Sequence, residues 1–153
     1  MNKEGRYERL YKQISELIPK GDHSISAMAT ISSILYHKME YFFWCGFYFL
    51  DKGDLKVGPY QGPVACQILE KDKGVCWAGI NKNESILVPD VHNFPGHIAC
   101  DSRSQSEVVI PVHDSEGKAI AVLDVDSDKK DVFDETDVVW LEKIISLIEP
   151  IQL

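Results

Sequence analysis

Three of the four cysteines in this chain, Cys66, Cys76 and Cys100, fall between Gly58 and Glu107, in a stretch rich in Gly, Pro and His. Cys100 ends a polar, glycine-containing loop, between His97 and Asp101. A cysteine used for packing hides inside an apolar element, whereas a thiol on such a loop is placed for reactivity. No CxxC pair occurs, so any cooperation among these thiols depends on the fold bringing them together.

Acids form a second group. Side chains alternate along a strand, so in AIAVLDVDS the carboxylates of Asp124 and Asp126 share a face with Ile120 and Val122. Glu107 opens SEVVIPV on the face of Val109, where the pattern expects an apolar residue. One reading is a pair of strand ends emerging into water. The other is a hairpin that brings three acids together beside the loop cysteine, which makes a candidate site.

Trp44, Gly46 and Tyr48 alternate with Cys45, Phe47 and Phe49. The second set reads as core. The first, a small residue between two aromatics with polar tips, suits the wall of a pocket for a small apolar group. His92 and His97 flank Phe94-Pro95-Gly96. Structural zinc wants local ligand pairs, and only His97 with Cys100 offers one, so zinc is not expected. A Cys–His–Asp hydrolase with Cys100 as nucleophile lacks every local signature of such enzymes.

The positioning elements follow from periodicity. Tyr7, Leu10, Tyr11, Ile14, Leu17 and Ile18 recur at helical spacing, stopped by Pro19-Lys20-Gly21. Asp22 is the expected N-cap of a second helix with the stripe Ile25, Met28, Ser32, Leu35 and Met39. In a third, Asp134 caps with Asp137, Phe133 staples to Val138, the stripe is Val138, Leu141, Ile145 and Ile148, and Pro150 ends it. Strands are expected at Tyr41–Leu50 (buried on both faces), Leu55–Gly58, Ala65–Leu69 and Ser85–Val88. The clearest hairpin joins Ser106–Val112 to Ala119–Asp126, and Lys73–Lys82 suits a short helix. Pro89 to Gln105 is a long loop of the kind that carries function. The order gives one α+β domain over residues 1–153, a central antiparallel sheet flanked by helices from both termini.

A single domain of 153 residues can bury a sound core without staples. Sixteen basic against 24 acidic residues, a net charge of −8 with no basic run, argue against nucleic acid and anionic membrane partners. The N-terminus lacks a signal-peptide apolar region, and the run Tyr41–Leu50 is too short to span a bilayer. A cytoplasmic setting is expected, where thiols rest reduced and a disulfide is transient or catalytic.

The segments WCGFY (44–48), GPYQGPVAC (58–66), GVC (74–76), DVHNFPGHIACD (90–101), SE (106–107) followed by VVIPV, and VLDVDS (122–127) together closely resemble the GAF-domain free methionine-R-sulfoxide reductases. The resemblance spans essentially the whole chain, with Cys45 an additional cysteine. It implies that Cys100 is catalytic, that Cys66 is the main resolving cysteine, and that Cys76 is a third that can resolve or hand electrons onward. Glu107, Asp124 and Asp126 match acids lining the substrate pocket. Trp44 and Tyr48 match an aromatic wall, and Gln61 lies in the shared GPYQG stretch. The implied substrate is free methionine-R-sulfoxide, the implied reductant thioredoxin, with no metal or organic cofactor. GAF domains also pair through terminal helices, so the first helix is a candidate homodimer face as well as a candidate for packing on its own sheet. The alternative is a GAF sensor module that binds a small molecule, or senses redox state through a Cys66–Cys100 disulfide, without turnover.

The implied chemistry suits these residues. A thiolate can attack a sulfoxide sulfur, but the oxygen leaves only when protonated, so the site needs a proton donor. Crowded carboxyls supply one, because like charges hold a proton on one member near neutral pH. The remaining acids suit an ammonium group, which a free amino acid carries.

Overall fold

The computed structural model describes residues 2–21, 24–97 and 100–153, so the expected cap Asp22 lies outside the described residues. Among the described residues, six strands form one sheet in the order β3-β2-β1-β6-β5-β4: β1 Trp44–Asp51, β2 Asp54–Gln61, β3 Ile68–Leu69, β4 Ile86–Val88, β5 Ser106–His113 and β6 Ala119–Ser127. Every neighbouring pair is antiparallel. The helices are α1 Lys3–Leu17, α2 Ser24–Lys38, α3 Gly74–Lys82 and α4 Glu135–Ser146, so helices from both chain ends flank the sheet.

Alternation along the strands sorts the interior into two cores. Cys45, Phe47, Val108, Ile110, Leu123 and Val125 point to one face and pack with α1, α2 and α4. Trp44, Tyr48, Val109 and Val122 point to the other and pack with Val75, Cys76 and Trp77 of α3. The β1–β2 connection explains itself: Lys52 and Gly53 both have positive φ (52° and 87°), the conformation a two-residue hairpin needs to follow strand twist.

Several elements differ from expectation. Strand β2 continues to Gln61, because Gly58 and Pro59 lie on a sheet margin where pairing survives them. Strand β3 shrinks to two residues, and β1 begins at Trp44 rather than Tyr41. Ile25 on α2 and Leu17 on α1 are exposed, while Ala27, Ile31 and Leu35 carry the buried face of α2. The inward stripe of α1 is used within the chain: Tyr7 stacks on Trp140 of α4 at 6.4 Å between centroids.

Helix α4 has the anticipated capping box of Asp134 and Asp137. Asp137 does more than cap. It is fully buried and accepts hydrogen bonds from Tyr7 Oη (2.6 Å), Tyr41 Oη, Lys3 Nζ (2.7 Å) and the Asp134 amide (2.8 Å). One carboxylate thus ties α1, α4 and the approach to β1.

Among the described residues no helix is long and apolar enough to cross a membrane.

Candidate active site

The pairing of β5 with β6 sets Glu107 opposite Asp126 and Val109 opposite Asp124. On the other side of β6, Asp126 faces Trp44 and Asp124 faces Gly46. Five chemically distinctive side chains, Glu107, Asp124, Asp126, Trp44 and Tyr48, therefore share one face of three adjacent strands. They line a single cavity with Cys76, Cys100, His97 and Ser104.

The water-exposed reading of the acids does not hold for Glu107 and Asp124, which are 6% and 5% exposed. Asp126 is half-buried and accepts a hydrogen bond from Ser104 Oγ at 3.1 Å. Burial, then the neighbouring Asp126 charge, pushes the Glu107 carboxyl from 4.5 up to about 8. Burial and like charge also hold Asp124 and Asp126 well above the carboxylate range. Asp124 Oδ1 is buried without a hydrogen-bond partner among the described residues. The cluster therefore retains protons at neutral pH.

The cysteines come from three places. Cys76 sits in the first turn of α3, 4% exposed, and its sulfur, a Glu107 oxygen and an Asp124 oxygen lie within 4.8 Å of one another. Burial, followed by these acids, raises the Cys76 thiol pKa, so it is a thiol and not a thiolate. Cys66 follows β2 and Cys100 lies on the loop from Pro89 to Gln105; the two form a disulfide with Cα atoms 5.5 Å apart. Cys100 is exposed and Cys66 half-buried. Cys45 is fully buried in the opposite core.

The long loop is pinned at its neck. The Val91 amide donates to the Gln105 carbonyl at 2.9 Å, and the Gln105 amide donates to Ser127 at 2.7 Å. Asp90 caps the short 3₁₀ turn Val91–Asn93. His97 reaches back from this loop, its Nε2 3.5 Å from Glu107 Oε1, and burial lowers its pKa, favouring the neutral ring. Next to Cys100, Asp101 is engaged by Arg103, which holds its carboxyl down at about 2, while Arg103 lies over the Phe43 ring. Asp101 is thus an ionised, paired group.

The aromatic wall is deeper than the strand pattern suggested. Trp44 stacks with Tyr48 (5.8 Å) and with Tyr60 (5.2 Å), and its Nε1 donates to the Pro63 carbonyl at 3.0 Å. Glycine at position 46 permits this: a Cβ there would meet Trp44 Cη2 at 2.8 Å and press into Tyr60. Tyr48 Oη donates to the Cys66 carbonyl at 3.4 Å, linking the wall to the disulfide. Gln61 pairs with Cys45, on the opposite side of the sheet from Tyr60, and does not line the cavity. Phe43, Ser104 and Tyr60 were absent from the sequence reading of the site, which held Cys76 but not the N-terminal end of α3 as a binding element. Of these, only Tyr60 had a signal, its place in the same GPYQG stretch.

The GAF domain family matches residues 29–151. The Saccharomyces cerevisiae protein named free methionine-R-sulfoxide reductase is 36% identical over 97% of this chain and 86% of its own length. The chain belongs to the free methionine-R-sulfoxide reductase family of GAF domains. Its fold is close to that of the Neisseria meningitidis member solved in complex with its substrate, with a TM-score of 0.90, 34% identity, and coverage of 96% of this chain and 88% of that one. GAF domain-containing protein A of Dictyostelium discoideum is 42% identical over 97% of this chain and 93% of its own length. The family is one of oxidoreductases acting on sulfur, and the cavity combines the thiols and protonated acids such chemistry requires.

Proposed function

We propose that this protein reduces free methionine-R-sulfoxide to methionine, with Cys100 as the attacking thiol. The observation that carries the reading is the Cys66–Cys100 pair, whose Cys100 lines a cavity shared with buried, proton-retaining carboxyls.

The Cys100 thiolate attacks the sulfoxide sulfur while Glu107 delivers a proton to the departing oxygen. The oxygen passes to the cysteine, giving methionine and a Cys100 sulfenic acid. The Cys66 thiol then displaces water to close the disulfide. A dithiol of lower potential, thioredoxin, reduces that bond and is itself oxidised. Cys76, next to Glu107 and Asp124, is the second thiol available to this exchange.

The other carboxyls account for choice of a free amino acid. Asp124 and Asp126 receive the ammonium group, which a methionine within a polypeptide lacks. The first turn of α3 lines the cavity, and its N-cap residue Lys73 makes no side-chain cap. Its open N–H groups suit the substrate carboxylate. The S-methyl group meets Trp44 and Tyr48. Gln61 has no part in this reading. A cytoplasmic setting fits a thioredoxin-recycled enzyme.

The test supplies racemic free methionine sulfoxide, a thioredoxin system and the protein, and follows methionine. Release that stops at half the racemate, leaving the S epimer, supports the reading. Binding without turnover would instead favour a sensor module.

A further inference from the structure

We propose that Cys76, Glu107 and Asp124 form a binding site for a zinc ion within the cavity. No local ligand spacing announces this site in the sequence, because the ligands come from three elements: α3, β5 and β6. The fold gathers one sulfur and two carboxylate oxygens within 4.8 Å of one another.

Two observations separate this trio from an ordinary acidic cluster. All three side chains are at least nine-tenths buried, so the donors point into a protected space rather than bulk water. Asp124 Oδ1 is buried with no hydrogen-bond partner among the described residues, leaving one acceptor of the trio unsatisfied. Tetrahedral zinc holds sulfur at about 2.3 Å and carboxylate oxygen at about 2.0–2.2 Å, so its ligands stand roughly 3.5 Å apart. Side-chain adjustment on the order of 1 Å closes the trio to that geometry.

The donor set selects the metal. One thiolate with two carboxylates suits zinc; it offers too few oxygens for calcium, and magnesium does not favour sulfur. Binding forms one Zn–S and two Zn–O bonds and releases to solvent the Cys76 thiol proton and the protons on the carboxyls. The fourth position of a tetrahedral ion is left for water. His97, with Nε2 3.5 Å from Glu107 Oε1, is placed to orient that carboxylate from outside. The trio survives formation of the Cys66–Cys100 disulfide, because Cys76 lies outside it.

The experiment uses the oxidised protein, in which Cys66 and Cys100 are tied together, and titrates it with cobalt(II) as a visible substitute for zinc. One equivalent should give a sulfur-to-cobalt charge-transfer band, and zinc should displace it. Cys76→Ser should abolish the band, while Cys45→Ser should leave it intact. The same titration on Glu107→Gln, which keeps the shape of the side chain, should weaken the metal at least about tenfold. A wild-type protein without the band, a band that persists in Cys76→Ser, or unchanged affinity in Glu107→Gln would each overturn the site. Should Cys76→Ser not fold, as read by near-UV circular dichroism, the Glu107→Gln affinity decides. None of these readouts needs turnover, so the metal site and the reductase reading stand or fall separately.

Discussion

Glu107 of β5 stands directly across from Asp126 of β6, placing two carboxyl groups on one rung of the sheet. The rung continues to Val88 on one side and Trp44 on the other. Like charges opposed in a sheet are destabilising, and burial adds to the penalty. The arrangement is tolerable because the pair holds a proton, and that proton is what sulfoxide chemistry consumes.

The first expectation concerns pH and rate. Below about 8 Glu107 carries its proton, and above it the donor is lost. Turnover of free methionine-R-sulfoxide, measured with chelator present, should fall as pH rises through about 8. Glu107→Gln should remove that limb and lower kcat by roughly 10²–10⁴-fold. A wild-type-like rate in this variant would exclude Glu107 as the donor.

The same group should make the fold less stable as pH rises. Its folded pKa of about 8 lies above the ordinary carboxyl value of 4.5, so between those values the folded state binds more protons than the unfolded chain. Its contribution is fully present at low pH and is lost as pH climbs through that window. Glu107→Gln should therefore melt higher than wild type at pH 8 and show a smaller decline in Tm from pH 5 to 8 in scanning calorimetry.

Cysteine variants separate attack from resolution. Cys100→Ser should consume no substrate. Cys66→Ser should release methionine in a single turnover, then recycle slowly in a thioredoxin-coupled assay. An unchanged steady-state rate in Cys66→Ser would assign resolution to Cys76.

Asp137 offers a contrast, being a buried acid far from the cavity. Asp137→Ala would leave Lys3, Tyr7 and Tyr41 without their common acceptor and should cost roughly 3–5 kcal/mol in urea denaturation. Specific activity of the folded fraction should be retained, which distinguishes this framework carboxylate from the reactive ones.

Much of this was legible in the residues. Alternation in AIAVLDVDS and SEVVIPV placed Glu107, Asp124 and Asp126 on a common face, and the hairpin did the rest. The aromatic wall followed from Trp44 and Tyr48 in the same way. What stayed hidden depends on three-dimensional return of the chain. Ser104 and His97 reach the acids from an irregular loop with no period to read. Helix α4 buries Trp140 and Ile144 beyond the expected stripe, while Val138 and Ile148 are only partly covered, because α1 and β5 both pack on it. Asp137 looked like a cap, and nothing near it in sequence points to Tyr7 or Tyr41.

The sheet also partitions the sulfur. Cys45 is sealed on one side and Cys76 lies deep on the other, so neither free thiol of the folded, oxidised protein is open to a bulky alkylating reagent. Reduction frees exposed Cys100 and half-buried Cys66 together. A brief pulse of alkylating reagent should accordingly add two adducts or none, and the intact mass becomes a direct gauge of how much enzyme is charged for the next turnover.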